Sequence, residues 1–213
     1  METGIFVSFE GSEGCGKSTQ INLLRQLIES AGRRCEVTRE PGGTKLGEVI
    51  RHLLKHAPEG DGMTPESELL LFAASRAQLV REKIQPWLEA GVSVIADRFL
   101  DSTVVYQGIA RGLDLDAVRS INAFAVGSCL PDLTFVLDMD AGNAFERAAA
   151  RSEKPDRMES EALSFYEKVR QGYLDLAAAE PDRFVVLDAG ASIETIAEQI
   201  ESTLTNRYNG FPR

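Results

Sequence analysis

The chain has 213 residues, a length that suits one large α/β domain with a sizeable core, and its ordinary composition argues against disordered and fibrous proteins. Its formal net charge is −10, whereas proteins that bind nucleic-acid polymers usually carry a basic surface. We therefore expect no nucleic-acid polymer among its partners, although a few converging arginines could bind a small anionic substrate.

The three cysteines, Cys15, Cys35 and Cys129, are odd in number and widely spaced, which argues against a disulfide framework and against a zinc site. The N-terminus lacks the basic region that opens a signal peptide. The longest apolar stretch, residues 69–74, is too short to span a bilayer. We therefore expect a cytoplasmic protein with no membrane partner.

Short apolar segments of strand length alternate with longer amphipathic segments along the chain. The patterns predict strands over residues 5–9, 35–38, 92–96, 133–137 and 184–187. They predict helices over residues 17–31, 46–55, 65–90, 116–126, 141–151, 159–179 and 193–204. Five strands that alternate with helices indicate a parallel sheet between two helix layers, in one domain over residues 1–213.

Three further segments carry specific expectations. Residues 69–73 are all apolar, which predicts that the helix over 65–90 is buried on nearly every side there. Residues 56–64 are mostly polar and contain proline and glycine, so we expect a flexible connection. Residues 206–213 are predicted to form a loose tail.

Residues 11–18 match the P-loop pattern in full, with Gly11 and Gly16 followed by Lys17 and Ser18. Glycines let the backbone N–H groups point at phosphates, and the helix that follows adds the positive end of its dipole. Lys17 can reach the β- and γ-phosphates, and Ser18 can ligate Mg²⁺. The predicted ATP-binding residues are Gly11, Ser12, Glu13, Gly14, Cys15, Gly16, Lys17, Ser18 and Thr19.

Asp97 and Arg98 follow a predicted strand that is almost entirely apolar. Ligands gather at the carboxyl ends of strands in open α/β sheets, so Asp97 is a candidate for holding Mg²⁺, with a helix cap as the alternative. Arg98 suits a site rich in phosphate oxygens, with an ion pair to Asp97 or Glu10 as the alternative.

Two pairs of residues lie four apart on predicted helices and therefore share a helix face. Phe72 and Arg76 could stack on a base and hydrogen-bond its carbonyl, although Phe72 could equally be a core residue. Arg147 and Arg151 lead into a charged segment that contains Arg157. They form either a solvated helix end or a mobile lid that brings cations onto a transferring phosphoryl group.

Five segments together resemble those of bacterial thymidylate kinases (dTMP kinases). They are residues 9–19, the Thr-Arg-Glu-Pro-Gly-Gly-Thr segment 38–44, the Leu-Phe-Ala-Ala-Ser-Arg segment 71–76, residues 97–112 and residues 131–138. The resemblance implies a three-layer nucleoside monophosphate kinase fold, with a five-stranded parallel sheet and a small lid at about residues 147–159. It also implies the reaction of ATP with dTMP to give ADP and dTDP, with Mg²⁺ as cofactor and a homodimer as the assembly.

The resemblance further implies roles for individual residues. Phe72 would stack on thymine, Arg76 would contact a thymine carbonyl, and Arg51 and Arg98 would hold the dTMP phosphate. The other implied acceptor residues are Thr103 and Gln107 at the base edge, Tyr106 beside the sugar and Glu13 near the sugar and phosphate. Some relatives carry arginine at the position of Gly14, and those without it have a lid that supplies the cation, which here would be Arg151 or Arg157.

Two other functions remain open from the residues alone. A deoxynucleoside kinase would use a carboxylate such as Glu40 as a base for a 5′-OH, but it would not need Arg51 and Arg98 as a phosphate clamp. A GTP-dependent switch would carry Asn-Lys-x-Asp and Asp-x-x-Gly motifs, and neither occurs in the sequence.

Overall fold

A sheet of five parallel strands runs through the part of the chain that the computed structural model describes, which is residues 4–149, 162–208 and 211. The strands are β1 (Phe6–Glu10), β2 (Cys35–Arg39), β3 (Ser93–Asp97), β4 (Leu133–Asp138) and β5 (Phe184–Asp188). Their order is β2-β3-β1-β4-β5, and each neighbouring pair is parallel. The predicted parallel sheet is confirmed.

Each strand ends one residue later than the apolar pattern predicts, and each of those last residues is charged. They are Glu10, Arg39, Asp97, Asp138 and Asp188. Backbone pairing continues past the last apolar side chain, because Arg39 is paired with Asp97 and Asp138 with Asp188 in the sheet. Because the strands are parallel, these charged residues lie along one edge of the sheet.

Helices cover both faces of the sheet. They are α1 (Lys17–Ser30), α2 (Lys45–Lys55), α3 (Pro65–Leu79), α4 (Gln85–Glu89), α5 (Leu100–Thr103), α6 (Leu115–Val126), α7 (Ala141–Ala149), α8 (Leu163–Ala179) and α9 (Ile193–Arg207). A π-helical segment, Val80–Ile84, joins α3 to α4, so the helix predicted over 65–90 is continuous but locally wider. Residues 150–151 and 159–161, which were predicted as helix, lie outside the described residues.

Residues 100–110 form a helix that the sequence patterns do not predict, because α5 continues as the π-helical segment Val104–Ala110. Thr103, Val104 and Val105 are β-branched and have weak helix propensity, which hides the helix in the sequence. Tertiary packing stabilises it, since all three of these side chains are buried. This helix carries Thr103, Tyr106 and Gln107 to the site.

Side chains along β1 point alternately to the two faces of the sheet, and a separate part of the core lies on each face. Val7 and Phe9 pack with residues of α1 and α9 on one side. Phe6 packs with residues of α3 and the π-helical segment after it on the other side. Glu10 has the parity of Phe6, so its carboxyl group points to the second face, where Ser102 contacts it.

Two predictions about burial are wrong. Leu70 is 56 % exposed, so the helix over 65–90 is not buried on nearly every side: α3 packs through Leu69 and Ala73 and leaves Leu70 in solvent. The C-terminal residues are also not a loose tail where the structure describes them, because α9 extends to Arg207 and Phe211 is only 2 % exposed. Phe211 packs into the core on the side of α1 and α9.

None of the helices in the described ranges combines the length and apolar character that crossing a membrane requires.

Candidate active site

A cavity of about 440 Å³ opens at the edge of the sheet where the strands end. Its walls come from the loop after β1, from α2 and α3, and from the segment that follows β3. Among the residues predicted for the site, those that line it are Glu13, Gly14, Gly16, Lys17, Ser18, Thr19, Arg51, Phe72, Arg76, Asp97, Arg98, Thr103, Tyr106 and Gln107. Arg151 and Arg157 lie outside the described residues.

Glycine is required at both ends of the loop after β1. Gly11 has φ of 127°, and a Cβ atom there would lie 2.5 Å from the carbonyl oxygen of Leu137. Gly16 has φ of 96° and forms the N-cap of α1. The loop therefore approaches β4 closely and directs the N-terminal end of α1 toward the cavity, as the P-loop pattern predicts.

Lys17 is buried within this loop. Its Nζ donates hydrogen bonds to the carbonyl oxygens of Ser12, at 2.8 Å, and Gly11, at 3.3 Å. The Sγ of Cys15 lies 3.8 Å from the same nitrogen, and the Cys15 side chain is buried. The ammonium group is thus held at the centre of the loop, with Ser18 and Thr19 exposed beside it.

Arg98 adopts a positive φ of 69°, and no other non-glycine residue in the described ranges does so. This left-handed conformation costs about 1 kcal/mol or more, so surrounding contacts must hold it. The backbone N–H of Arg98 donates to the carbonyl oxygen of Phe9, at 3.0 Å. The Nη2 atom donates to Glu13 at 2.9 Å, whereas the carboxylate of Glu10 is 4.0 Å from Nη1.

Sequence reasoning named Glu10 only as an alternative ion-pair partner of Arg98 and missed the buried hydrogen-bond network that it forms. Its fully buried carboxyl group accepts hydrogen bonds from the N–H of Phe99 at 2.7 Å, from Ser102 Oγ at 2.6 Å and from the hydroxyl of Tyr173 at 2.7 Å. Burial, assisted by the charge of Asp101, raises the pKa of Glu10 to about 7. The signal was present in the sequence, because a carboxylate that directly ends an apolar strand must find partners.

The pKa of Glu13 is lowered, whereas that of Glu10 is raised. Burial would raise the pKa of Glu13, but the neighbouring cations Arg98, Lys17 and Lys55 hold it well below its usual range. Glu13 is therefore ionised at neutral pH. Its carboxylate interacts with cations of three elements: Lys17 of the phosphate loop, Arg98 of the segment after β3 and Lys55 at the C-terminal end of α2.

Arg76 is only 1 % exposed and is held by a dense set of partners. Its Nε donates to both oxygens of Glu40, at 3.0 and 2.8 Å, and its Nη2 donates to Thr103 Oγ1 at 2.8 Å. Nη1 donates to Asn122 at 2.6 Å. The charge on α3 thus has the buried partner that the sequence required, and that partner, Glu40, was not identified beforehand.

The remaining predicted acceptor residues lie around Arg76 and Arg98. Phe72 is half-buried and faces the cavity rather than being a core residue alone. Gln107 donates to Glu68 at 2.7 Å, and Arg51 donates to the carbonyl oxygen of Pro41 at 3.0 Å. The Tyr106 ring lies 5.2 Å from the guanidinium carbon of Arg98, and burial raises the pKa of Tyr106 to about 12.

Ser18 and Asp97 are the two residues that the sequence predicts as ligands of Mg²⁺. Both line the cavity, Ser18 from the first turn of α1 and Asp97 from the end of β3. Hydroxyl and carboxylate oxygens are the ligands that Mg²⁺ prefers, and Mg²⁺ in kinases is usually held by one or two protein groups together with substrate phosphates. The pair therefore fits Mg²⁺ chemically.

A P-loop that leaves the central strand of a parallel sheet, beside a cavity rich in arginine, defines a P-loop phosphotransferase. The family model for thymidylate kinase matches residues 9–200. The thymidylate kinase of Bifidobacterium longum is 49 % identical over 95 % of this chain and 98 % of its own length. That of Geobacter sulfurreducens is 46 % identical over 96 % of this chain and 98 % of its own. The chain belongs to the thymidylate kinase family.

Proposed function

We propose that this protein transfers the γ-phosphoryl group of ATP to dTMP, giving ADP and dTDP for dTTP synthesis. The observation that carries the proposal is the placement of Arg51 and Arg98 in the same cavity as the phosphate loop. A neutral nucleoside acceptor would not need two arginines near its 5′ position, whereas a monophosphate would. Family membership supports the same reaction.

On the donor side, the loop over residues 11–19 binds the ATP phosphates through its backbone N–H groups and through the N-terminal end of α1. Lys17 neutralises charge on the β- and γ-phosphates. Ser18 and Asp97 would hold Mg²⁺, which when bound would neutralise the negative charge on the phosphate oxygens.

On the acceptor side, Arg51 and Arg98 hold the dTMP phosphate, and Phe72 stacks on thymine. Arg76 offers its cavity edge to a thymine carbonyl, while its bonds to Glu40 and Thr103 keep that edge in place. Thr103 and Gln107 face the base edge. Tyr106 lies against Arg98 beside the sugar, where it would disfavour a ribose 2′-OH.

A monophosphate is already ionised at neutral pH, so the transfer requires alignment and charge neutralisation rather than a strong general base. Both oxygens of Glu40 accept hydrogen bonds from Arg76, which argues against Glu40 as the base of a deoxynucleoside kinase. Glu13 keeps Arg98 beside the phosphate loop, at 2.9 Å from its own carboxylate. Closure of a lid over about residues 147–159 would exclude water from the site.

The lid arginines provide one prediction. Arg151 and Arg157 would supply the cation that Gly14 does not, so changing either to Ala should lower kcat far more than the affinity for dTMP. Steady-state kinetics together with equilibrium dTMP binding measure the two effects. Equal losses of kcat and of dTMP affinity would instead indicate a structural role for these residues.

A coupled assay of ADP release tests the proposed reaction. We expect turnover with dTMP and little with thymidine, since only dTMP presents a phosphate to Arg51 and Arg98. Preferential turnover of thymidine would establish the deoxynucleoside kinase instead. Hydrolysis of GTP with no transfer to dTMP would establish a switch protein.

The family resemblance also supports a single domain, a cytoplasmic location and a homodimer. Sedimentation equilibrium tests the assembly, because a homodimer would have twice the 23.3 kDa mass of the chain.

A further inference from the structure

Lys55 is a cavity residue that the family motifs did not single out. It is the last residue of α2 and lies four residues after Arg51, so the two side chains share one face of the helix. Both line the cavity. The adjacent face of α2 packs inward through Ile50 and Leu54, so the half-buried Arg51 and Lys55 lie where the core meets the cavity.

The charge of Lys55 acts on the centre of the site. Its ammonium group is one of three cations that stabilise the ionised form of Glu13, together with Arg98 and Lys17. Lys55 and Glu13 line the same cavity, so the C-terminal end of α2 faces the phosphate loop there. The same Glu13 carboxylate accepts a hydrogen bond from Arg98, at 2.9 Å. Lys55 and Arg98 therefore line one cavity from two different elements.

The cavity holds more positive charge than its own carboxylates can balance. The carboxylates that line it in the described ranges are Glu13, Glu40 and Asp97. The cations that line it are Lys17, Arg39, Arg51, Lys55, Arg76 and Arg98. Six cations and three carboxylates of the described residues thus line the cavity of a protein whose net charge is −10, and this local excess of positive charge suits a dianionic phosphate.

We propose that Lys55 is a third cationic ligand of the acceptor phosphate, alongside Arg51 and Arg98. The inference rests on the proposed function and assigns a new contact to the same site. The two guanidinium groups can orient the phosphate through paired hydrogen bonds, whereas an ammonium group acts as a point charge that needs no fixed angle. Lys55 thus strengthens phosphate binding without constraining the direction of attack.

The test compares Lys55→Met with Lys45→Met, which removes an exposed lysine from the first turn of the same helix. Isothermal titration measures the affinity of each variant for dTMP and for thymidine, which has the same base and sugar but no phosphate. We expect Lys55→Met to weaken dTMP binding about tenfold or more, the loss typical of a charged hydrogen bond, and to leave thymidine binding unchanged. Lys55→Arg should retain most of the dTMP affinity, and Lys45→Met should match the wild type.

Three results would overturn the inference. Equal losses for dTMP and thymidine would show that Lys55 only supports the structure of α2. A change in the KM for ATP with unchanged dTMP affinity would place Lys55 on the donor phosphates. Unchanged affinities for every ligand would leave Lys55 as a counter-ion of Glu13 alone. The proposed function fails separately, when the wild-type protein does not phosphorylate dTMP, because the binding comparison does not depend on turnover.

Discussion

The carboxyl group of Glu10 connects three elements of the site. It lies at the end of β1, accepts a hydrogen bond from the N–H of Phe99 directly after Arg98, and accepts a second from Tyr173 on α8. The bond to Phe99 holds the chain immediately after the left-handed residue Arg98. Glu10 therefore helps to place the guanidinium group of Arg98 at the cavity.

Glu10 should make the stability of the protein fall as the pH rises toward neutrality. Its pKa is about 7 in the folded protein against 4.5 ordinarily, so between these values the folded state binds more protons than the unfolded state. The free energy of unfolding should then decrease across that window, by about 3 kcal/mol in total. Glu10→Gln should remove this decrease, as urea unfolding at a series of pH values would show.

Glu36→Gln is the matched control, because Glu36 is exposed on β2 and its loss should leave the pH dependence of the wild type intact. Glu13 does not confound the comparison. Its pKa is held low, so its stabilising contribution is complete above the usual carboxyl range and is lost only as the pH falls well below that range. If the free energy of unfolding of Glu10→Gln still decreased with pH as in the wild type, the decrease would not come from Glu10.

At the level of elements, a partly buried ion pair joins α5 to the edge of the sheet formed by β4 and β5. Arg183, just before β5, donates to the two carboxylate oxygens of Asp101 at 2.7 and 2.9 Å. It also donates to Thr134 of β4, at 3.1 Å. Because Asp101 lies three residues after Arg98, this pair anchors the helix that brings Thr103, Tyr106 and Gln107 to the cavity.

Asp101→Ala should destabilise the protein by about 2 to 4 kcal/mol, because it leaves the charge of Arg183 without its buried partner. The comparison is Glu29→Ala, which breaks the exposed pair with Arg25 and should cost less than about 1 kcal/mol. Chemical denaturation measures both free energies of unfolding. Adding Arg183→Met to Asp101→Ala should recover part of the loss, and a similar cost for the two single variants would contradict the argument.

Considered as a whole molecule, the protein is acidic outside and cationic at its site. The chain carries a net charge of −10, yet cations outnumber carboxylates among the described residues that line the cavity. Clefts lined by one sign of charge focus the electrostatic field and attract small ions of the opposite charge. The charge distribution therefore favours the binding of a small phosphorylated substrate.

The affinity for dTMP should fall as ionic strength rises, because salt screens the attraction between the cavity and the phosphate. Titrations at about 0.05 M and about 0.5 M KCl should show a severalfold loss, given Debye lengths that drop below the size of the cavity. Thymidine provides the neutral comparison, and its affinity should stay nearly constant. Equal behaviour of the two ligands would show that charge does not contribute to acceptor binding.

Much of the fold and the site could be predicted because it depends on local patterns. Apolar segments located all five strands to within one residue at each end, and the glycine spacing located the phosphate loop before any tertiary contact was known. The helix over residues 100–110 could not be predicted, since β-branched residues weaken its local signal and only burial stabilises it. The burial of Phe211 was also missed, because it depends on packing with distant parts of the chain.

The sequence by itself determined the parallel sheet and the phosphate loop, because strand periodicity and glycine geometry are properties of neighbouring residues. The class of reaction followed from the resemblance of five sequence segments to a known family. Only the tertiary structure decided which buried polar and charged side chains contact each other. Glu10 with Tyr173, Arg76 with Glu40 and Asp101 with Arg183 are separated by 36 residues or more along the chain. A buried charge needs a partner, but the sequence does not say which one, because the choice depends on how the strands and helices pack.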